Sequence, residues 1–475
     1  MTPDAEIIAL IAALRQEIAA LKQENAELRR RLGLDSSNSS RPPSSDGPGK
    51  KPRGETPRTS SLRGKSGKKS GGQKGHKGDT LRQVEAPDKV VHHPVGACVH
   101  CQTQLGAAHV VDVERRQVFD LPAPRLEVTE HRADICQCPD CGGITRAAFP
   151  AGVNAPTQYG PRLRAAAVYL NVQQLIPEDR LAELMTDLFA APRLCPASIA
   201  SWVARKAADF APVVAVIKQQ LMVARVRHLD ETGFRIRGRT QWLHTVSNGA
   251  LTCYATSEKR GDIPLFLRDS KAGVIVHDHF RPYYKQFAAL DHALCNAHHL
   301  RELKALIEID GEPWAGEMSG LLVSTNSLKR QAAERGDPAL PSPLLQSISD
   351  LYDHLVEAGL AFHRALPPLA RSGKAGKPPR RPGHNLLRRL RDFKDDVLRF
   401  AGDFAVPFTN NQAEQDLRMM KLRMKISGGF RSAEGAQSFA CLRSMLSTAR
   451  KQGWNILATL SAEPDALIQK LRMIG

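Results

Sequence analysis

The sequence predicts a multidomain α+β protein, and three observations support this fold class. The chain has 475 residues, which is too long for one compact hydrophobic core. A Ser-, Gly-, Pro- and Lys/Arg-rich stretch separates an N-terminal helix from the rest. The spacing of apolar residues changes from helical to alternating near residue 223 and returns to helical near residue 305. The predicted segments are a coiled-coil helix (1–32), a disordered basic linker (33–82), a cysteine-bearing domain (83–150), a helical domain (151–222), and a sheet-bearing core (223–304) with a helical insertion (305–404) and a helical completion (405–475).

The charge of the chain indicates a polyanionic partner. A formal net charge of +18 favours nucleic acid, because lysines and arginines neutralise phosphates and release counterions. A basic surface that serves only solubility is the alternative. No segment has the roughly 18 uninterrupted apolar residues of a membrane span, and the N-terminus lacks the order of a secretory signal. We therefore expect a cytoplasmic protein without membrane contact, whose nine cysteines are thiols or metal ligands.

The first helix has the heptad repeat of a leucine zipper. Its a positions are Ile11, Ile18, Asn25 and Leu32, and its d positions are Ile7, Leu14, Leu21 and Leu28. Oppositely charged residues occupy the g and e′ positions, and a polar Asn25 at a is typical of a two-stranded state. This pattern predicts a parallel homodimer or a higher oligomer, with an amphipathic helix packed on its own domain as the alternative.

The linker after this helix has almost nothing to bury. Residues 33–80 contain eleven Lys/Arg against four Asp/Glu, together with many Ser, Gly and Pro residues. Such a segment is expected to be disordered on its own. It would hold DNA without reading its sequence, or it would serve only as a solubilising linker.

Two cysteine pairs predict a structural zinc site. Cys98-x-x-Cys101 and Cys138-x-x-Cys141 each have the spacing of half a tetrahedral Zn²⁺ site. Four thiolates leave no open coordination position, which excludes a catalytic zinc here. The segments between the pairs alternate like strands, so a strand hairpin would explain the long separation of the pairs. The whole segment is therefore predicted to be a zinc-ribbon-like domain. Cys136 is a spare cysteine that could replace Cys138.

The segment from 151 to 222 is predicted to be helical. "DRLAELMTDLF", a short turn and "CPASIASWVARKA" resemble a helix-turn-helix, which would place Ser198, Ser201 and Arg205 on an outward face. Two ordinary core helices explain the same pattern equally well.

The core segment predicts a ribonuclease H-like fold. "ARVRHLDETGFRI", "TQWLHTVS" and "ALTCYATS" are three successive predicted strands. A helix over "GDIPLFLRD" and a buried strand in "AGVIVHDHF" follow them, and then a strand in "HALCN" and a helix in "AHHLRELKALI". Three antiparallel strands, a helix and a central strand make up the order of that fold.

Three acids are the candidate catalytic residues. Asp230 ends the first predicted strand and Asp278 the fourth, which are neighbours in such a sheet, while Glu414 begins a later helix. Three converging carboxylates suit two divalent cations about 3.5–4 Å apart in an in-line phosphoryl displacement. Oxygen ligands favour Mg²⁺ or Mn²⁺. Singly, each aspartate is also a common turn residue, and Asn411-x-x-Glu414 also matches a helix capping box.

The helix that carries Glu414 is predicted to bind DNA. Glu414, Arg418, Lys421 and Lys425 lie on one face, so a carboxylate is followed by three cations. The adjacent stripe, expected to pack on the sheet, is Ala413, Leu417, Met420 and Met424. One further group, Cys295 with His298 and His299, could form half of a metal site. Such residues are more often packed in a core or orient neighbouring acids.

The order of motifs resembles a DDE transposase of the insertion sequence 66 family over nearly the whole chain. The zipper, "NSSRPPSSD", "GGQKGHKG", the four cysteines, "DETGFR", "CNAHHLREL" and "NNQAEQDLR" carry the resemblance. It implies a ribonuclease H-like core whose catalytic triad and divalent metal ligands are Asp230, Asp278 and Glu414. It also assigns Arg418 to the pattern around the glutamate and Arg301 to a basic pattern after Cys-x-x-His.

The sequence departs from the family pattern after the second aspartate. There "HFRPYY" replaces a Gly- and Tyr-rich run, which leaves Asp262, Asp269 and Asp291 as rivals of Asp278. For the first aspartate, alternation puts Asp230 and Glu231 on opposite faces of the strand, and the motif match selects Asp230. Glu231 is expected to begin the next turn with Thr232 and Gly233, so that its replacement by alanine should be mild.

Three functions are compatible with these patterns. The leading one is a transposase that binds the ends of an insertion sequence and catalyses metal-dependent cleavage and strand transfer. The second is a catalytically inactive, dimeric zinc-ribbon DNA-binding regulator. The third is a nuclease without strand transfer. One assay with labelled element ends and Mn²⁺ separates all three.

Overall fold

A computed structural model gives the structure of the protein. It describes residues 17–18, 21–34, 38–39, 81–121, 124–263, 265–270, 272–369 and 380–474. Most of the basic linker, the heptad residues Ile7, Ile11 and Leu14, and most of the basic loop in the insertion lie outside the described residues. None of the helices in the described part of the chain is long and apolar enough to cross a membrane.

The N-terminal helix is described over residues 21–33. Its heptad side chains Leu21, Leu28 and Leu32 are exposed to solvent. The end of the helix contacts the folded body, where Arg30 pairs with Asp310. The zipper homodimer remains a prediction.

The cysteine-bearing segment contains one short hairpin, β1 (Ile135–Gln137) and β2 (Ile144–Arg146). This hairpin flanks the second cysteine pair. The expected hairpin between the two pairs is wrong, since residues 110–121 and 124–134 form no strand. Few side chains here are buried, so there is little packing to favour regular pairing.

Three helices follow, α1 (Pro161–Val168), α2 (Glu178–Phe189) and α3 (Pro196–Val223). The predicted helical pair is therefore present. However, α3 has 28 residues and runs far beyond the predicted recognition segment. Ser198 and Ser201 are half-buried and only Arg205 is fully exposed. The buried C-terminal half of α3 belongs to the main hydrophobic core, as the core-helix alternative expects.

A five-stranded mixed sheet forms the centre of the molecule. Its strands are β3 (Val226–Ile236), β4 (Arg239–Ser247), β5 (Thr252–Ser257), β6 (Val274–His277) and β7 (Asp291–Leu294). Their order is β5-β4-β3-β6-β7; β3, β4 and β5 are antiparallel, and β6 and β7 run parallel to β3. This confirms the predicted strand order. The helix predicted between β5 and β6 is a single 3₁₀ turn, Leu265–Asp269.

Ten further helices surround the sheet in the described part of the chain. They are α4 (Arg281–Gln286), α5 (Asn296–Ala305), α6 (Pro313–Glu334), α7 (Ser342–Ala365), α8 (Pro382–Asp392), α9 (Lys394–Gly402), α10 (Asn411–Ser427), α11 (Ala433–Lys451), α12 (Ile456–Ser461) and α13 (Pro464–Arg472). The segment predicted as a helical insertion is helical, and the α+β class is confirmed. The predicted domain boundaries remain predictions.

Two hydrophobic cores lie on opposite faces of the sheet. Strand β6 contributes to both, since Ile275 belongs to the core with α3, α10 and α11, whereas Val274 and Val276 belong to the core with α6 to α9. A parallel strand covered on both faces explains the continuous apolar run in this part of the sequence. Strands β6 and β7 end beside the middle of β3, because only residues 226–228 of β3 pair with β6 and β3 continues to Ile236. The prediction that Asp230 ends its strand was therefore wrong, since Asp230 lies in the middle of β3 and pairs with Thr245 of β4.

Candidate active site

The parallel strands β3 and β6 place Asp230 and Asp278 side by side. Their register pairs His228 with Val276, so Asp230 and Asp278 stand opposite each other two residues further along. Asp278 directly follows β6 and accepts a hydrogen bond at Oδ1 from the backbone N–H of Phe280 (3.2 Å). Both aspartates are half-buried. The expected meeting of these two carboxylates at the sheet edge agrees with this register.

The three rivals of Asp278 lie elsewhere. Asp262 and Asp269 are exposed in the connection between β5 and β6. Asp291 begins β7, at the opposite edge of the sheet, and its Oδ1 lies 3.5 Å from Arg399. Asp278 is thus the aspartate of this group in register with Asp230.

Helix α10 brings Glu414 to the same edge. Its N-cap residue Asn410 is buried and bonds to the strand, with Nδ2 donating to the carbonyl of Leu229 (2.7 Å). The Oδ1 atom of Asn410 accepts a hydrogen bond from His228 Nδ1 (2.8 Å). These bonds hold the start of α10 against β3, one turn before Glu414.

The other end of α10 is also attached to the strand. Gly429 has φ +155°, and a Cβ there would lie 2.4 Å from the carbonyl oxygen of Arg235. Glycine therefore permits Phe430 N–H to donate to that carbonyl (2.8 Å). With both ends tied to β3, the register of the Glu414 face is set by the sheet.

Glu414 does not act as a helix cap. The helix begins after Asn410, so Asn411 is the first helical residue and the capping box considered for Asn411 and Glu414 is not formed. Among the described residues, Oε1 of Glu414 is buried without a hydrogen-bond partner, and Oε2 lies 3.9 Å from Nη2 of Arg301. The carboxylate is therefore available to a ligand.

The acids repel one another. Burial raises the pKa of Asp230 well above its ordinary value, and the negative charges of Glu231, Asp278 and Glu414 raise it further. A hydrogen bond from the backbone N–H of Glu231 to Asp230 Oδ1 (2.8 Å) partly opposes this shift. Crowded carboxylates whose ionisation is costly in the absence of a cation are typical of sites that bind cations.

Glu231 is not a turn residue, so this prediction was wrong. Strand β3 continues through it, paired in register with His244 of β4, and the chain turns only at Arg237 and Gly238. The antiparallel pairing of β3, β4 and β5 continues past the point where the parallel pairing of β3 with β6 ends. The local Thr-Gly sequence gives no sign of this continuation.

Glu231 instead forms a buried network. Its side chain is 1% exposed, and Oε1 accepts hydrogen bonds from Nε and Nη2 of Arg260 (2.8 and 2.6 Å). Its Oε2 atom accepts a hydrogen bond from Tyr283 Oη (2.6 Å). The guanidinium of Arg260 lies 4.4 Å from the ring centre of Phe280, two residues after Asp278. Burial raises the pKa of Glu231, and the charge of Asp278 adds to this shift.

A pair of histidines supports the segment beside Asp278. The backbone N–H of His279 donates to His277 Nδ1 (3.1 Å), so His277 carries its proton on Nε2 and donates to His292 Nδ1 (2.9 Å). His292 Nε2 donates to the carbonyl of Phe287 (3.2 Å). Burial lowers the pKa of His277 well below its ordinary value, so the chain of bonds is that of neutral imidazoles.

A second group of possible ligands lies beside the acids. Cys295 directly follows β7, and its backbone N–H donates to the carbonyl of His277 (2.9 Å). Ligand atoms of Cys295, His298 and Glu414 all lie within 4.8 Å of one another, the one such group of three among the described residues. His299, by contrast, is buried and bonds to Asn296 Oδ1 (3.1 Å), as a packed core histidine does.

The cysteine of this group is neutral on its own. Burial raises the pKa of the Cys295 thiol to about 11, although the backbone N–H of Asn410 donates to its Sγ (3.1 Å). Burial also lowers the pKa of His298, and the charge of Arg301 adds to this shift.

The basic face of α10 has the expected exposure. Arg418, Lys421 and Lys425 are exposed along the helix after Glu414, and Arg301 lies half-buried beside the carboxylate. The predicted apolar stripe is buried at Ala413, Leu417 and Met420, and Met424 packs partly against the same core. The helix thus presents cations to solvent while its other side packs on the sheet.

The two cysteine pairs adopt the same local turn. In each, the backbone N–H of the first cysteine donates to the carbonyl five residues on, from Cys98 to Thr103 (2.9 Å) and from Cys138 to Gly143 (2.8 Å). The residue four positions on, Gln102 or Gly142, has a positive φ of 62° or 70° and donates back to that cysteine's carbonyl. The sequence does not reveal this repeated turn, because the first pair has Gln102 and not a glycine at the position of positive φ.

The thiols of these turns are predisposed to ionise. Hydrogen bonds from Thr103 lower the pKa of the Cys101 thiol, and the backbone N–H of Cys141 lowers that of Cys138. Within residues 81–121 and 124–263, however, no three of the four sulfurs lie within 4.8 Å of one another. The four-cysteine site remains a prediction.

Comparison with known proteins identifies the family. A family model described as "Family of unknown function (DUF6444)" matches residues 1–82. No curated protein matches the chain. A family model described as "Transposase IS66 family" matches residues 156–438, which include β3 to β7 and α10. This match spans more than half of the 475 residues, and the chain therefore belongs to the transposase IS66 family of DNA-processing enzymes, for which DNA binding and divalent metal use are implied.

Proposed function

We propose that the protein binds the ends of an insertion sequence and catalyses metal-dependent DNA cleavage and strand transfer on a ribonuclease H-like core. Its catalytic triad is Asp230, Asp278 and Glu414. The observation that carries the proposal is the register of β3 and β6, which puts two aspartates side by side at the sheet edge. Support also comes from the two attachments of α10 to β3, which bring the third carboxylate to that edge.

The donor set fits a pair of hard divalent cations. All three side chains are carboxylates, burial and then the neighbouring negative charges raise the pKa of Asp230, and Glu414 Oε1 is buried without a partner among the described residues. Asp230, Asp278 and Glu414 would hold Mg²⁺ or Mn²⁺. When bound, two such ions supply activation of the attacking oxygen and stabilisation of the leaving oxygen.

The protein's own residues orient this site. His228 and Asn410 fix the start of α10 on β3, and the Glu231–Arg260 pair fixes the segment after Asp278. A triad held this way needs little reorganisation when the substrate phosphate arrives. The exposed cations Arg418, Lys421 and Lys425, with Arg301 near the carboxylates, bind the DNA backbone on either side of the cleaved phosphate.

The N-terminal half supports assembly. We propose that Cys98, Cys101, Cys138 and Cys141 bind a structural Zn²⁺, because their identical turns orient each pair as half of a tetrahedral site. The exposed heptad leucines of the first helix favour a homodimer or higher oligomer.

One assay tests the proposal. Purified protein is incubated with labelled element ends and a target plasmid in Mg²⁺ or Mn²⁺. We expect both 3′-OH ends and joined products. Full cleavage by Asp230→Ala would overturn the triad. DNA binding without cleavage by the wild type would indicate the inactive regulator, and cleavage without joined product would indicate a nuclease.

A further inference from the structure

Cys295, His298 and Glu414 form a side-chain cluster whose chemistry differs from that of the aspartates. Three elements contribute, since Cys295 follows β7, His298 lies in the first turn of α5 and Glu414 in the first turn of α10. Their ligand atoms lie within 4.8 Å of one another, whereas Asp230 and Asp278 do not join such a group within the described part of the chain.

Two polar atoms of this cluster lack partners. Among the described residues, Nδ1 of His298 and Oε1 of Glu414 are both buried without a hydrogen bond. Buried polar atoms are normally satisfied, and two orphans in one cluster call for an explanation such as a bound ion. Packing alone explains a buried cysteine, but it does not explain both orphaned atoms beside it.

We propose that Cys295, His298 and Glu414 bind one Zn²⁺ ion. Thiolate sulfur, imidazole nitrogen and carboxylate oxygen are the three ligand types that zinc accepts, whereas Mg²⁺ disfavours sulfur. Three protein ligands leave a fourth coordination position open. This zinc binding does not require the chain to cleave DNA. It would engage the same carboxylate as the proposed catalytic ions, so zinc and Mg²⁺ would compete for Glu414.

The geometry requires only a small adjustment. Ligand atoms around a tetrahedral zinc lie about 3.5 Å apart, given metal–ligand bonds of about 2.0–2.3 Å. The ligand atoms, which lie up to 4.8 Å apart, can therefore reach this spacing by side-chain rotations that move each atom by about 1 Å. The backbone N–H of Asn410, which donates to Cys295 Sγ, stabilises a thiolate there.

A cavity borders one side of the cluster. A cavity of about 190 Å³ reaches His298 and Arg301, between the end of the N-terminal helix and α8. Arg301, which lies 3.9 Å from Glu414, is the neighbouring cation, and the Cys295 thiolate and the Glu414 carboxylate together balance the two positive charges of the ion.

The test counts zinc ions in the full-length protein. Metal-free protein is reloaded with Zn²⁺, excess metal is removed, and zinc per chain is measured by mass spectrometry for wild type, Cys295→Ser and His298→Ala. Cys253→Ser is the matched control, because Cys253 is equally buried but belongs to no ligand group among the described residues. We expect Cys295→Ser and His298→Ala each to lose one zinc per chain relative to the wild type and the control.

Cobalt substitution provides a second readout. In a full-length background that carries Cys98→Ser, Cys101→Ser, Cys138→Ser and Cys141→Ser, Co²⁺ should still give thiolate-to-cobalt charge-transfer absorption, and adding Cys295→Ser should remove it. If that background does not fold, as judged by circular dichroism, the difference in zinc content decides alone. Equal zinc content in wild type, Cys295→Ser and His298→Ala would overturn the proposal. Asp230→Asn should keep this zinc while losing cleavage, so the failure of one proposal is separable from the failure of the other.

Discussion

The acid edge of the sheet and the cysteine-bearing segment are both predicted to bind metal, but their ligands are held in different ways. At the acid edge, Asp230 and Asp278 are aligned by strand register, and α10 is tied to β3 at both ends. Hydrophobic cores cover both faces of that sheet. In the cysteine-bearing segment the first pair is held by its own turn and the second by its turn and the short hairpin of β1 and β2, and apolar side chains such as Val111 and Val118 are more than 90% exposed.

The two sites therefore depend on their ions in different ways. The acid edge is built by packing, so its carboxylates stay close without metal, and the cost appears as the raised pKa of Asp230. The cysteine pairs form locally but nothing in the described residues joins the two turns, so zinc itself would have to supply the missing tertiary contacts.

The largest effect is expected for Asp230→Asn. Loss of the carboxylate should abolish Mg²⁺-dependent cleavage, because the ion ligand at the centre of the edge is gone. Stability should not fall, since a folded-state pKa raised above its ordinary value means that ionised Asp230 destabilises the fold at neutral pH, and the amide removes that charge. Cleavage assays and thermal unfolding without divalent metal measure the two outcomes. A large drop in melting temperature would contradict the packed-edge account.

Loss of the zinc held by the four cysteines should affect the other region almost alone. Cys138→Ser should make residues 81–150 sensitive to protease, because the two turns lose their common ligand. Unfolding of the sheet-bearing core should keep its midpoint in this variant. The matched control is Cys136→Ser, two residues away on β1 and exposed. Equal protease sensitivity of both variants would show that the spare cysteine shares the site.

Glu231→Ala should have an intermediate effect, in place of the mild one expected from the sequence. It leaves Arg260 and the buried hydroxyl of Tyr283 without their acceptor. We expect a loss of about 1–3 kcal/mol in the free energy of unfolding and slower cleavage, because the segment after Asp278 loses its anchor. Denaturant unfolding and cleavage rates measure both. Glu258→Ala, at an exposed position after β5, is the control and should change neither quantity. Wild-type stability and cleavage rate of Glu231→Ala would show that the network does not support the site.

The smallest effect is expected on the basic face of α10. Lys421→Ala should weaken binding of DNA of any sequence and reduce the slope of log affinity against log salt by about one. Arg472→Ala, exposed in the last helix, should leave the slope unchanged. A fluorescence anisotropy titration over several salt concentrations gives the slopes. Identical slopes for Lys421→Ala and wild type would place the DNA elsewhere.

Local pattern was sufficient for much of the fold and of the acid edge. Alternation and apolar runs predict β3 to β7 in their observed order, and helical spacing predicts the buried stripe of α10. The same kind of pattern predicted strands between the cysteine pairs, where the structure has none. Alternation yields a strand only when a partner strand or a core covers one face, and that segment has neither.

The partners of the site residues could not be predicted in the same way. Glu231 meets Arg260 of the connection after β5 and Tyr283 of α4, and Glu414 meets Cys295 and His298 through two helices. These contacts join residues far apart in the chain, so no local period signals them. The Cys-x-x-His spacing alone is weak evidence for a metal site. The buried atoms of His298 and Glu414 that lack hydrogen-bond partners among the described residues strengthen that evidence.

Residue types and local periods were enough to predict the α+β class, the strand order, the place of Asp278 at the end of its strand and the transposase IS66 family. The tertiary structure decided which side chains face one another. It aligned Asp278 with Asp230, extended β3 through Glu231 and brought Cys295 to Glu414. The physical reason is that register and packing between distant elements follow from burial of both sheet faces, a property of the folded chain and not of any one segment.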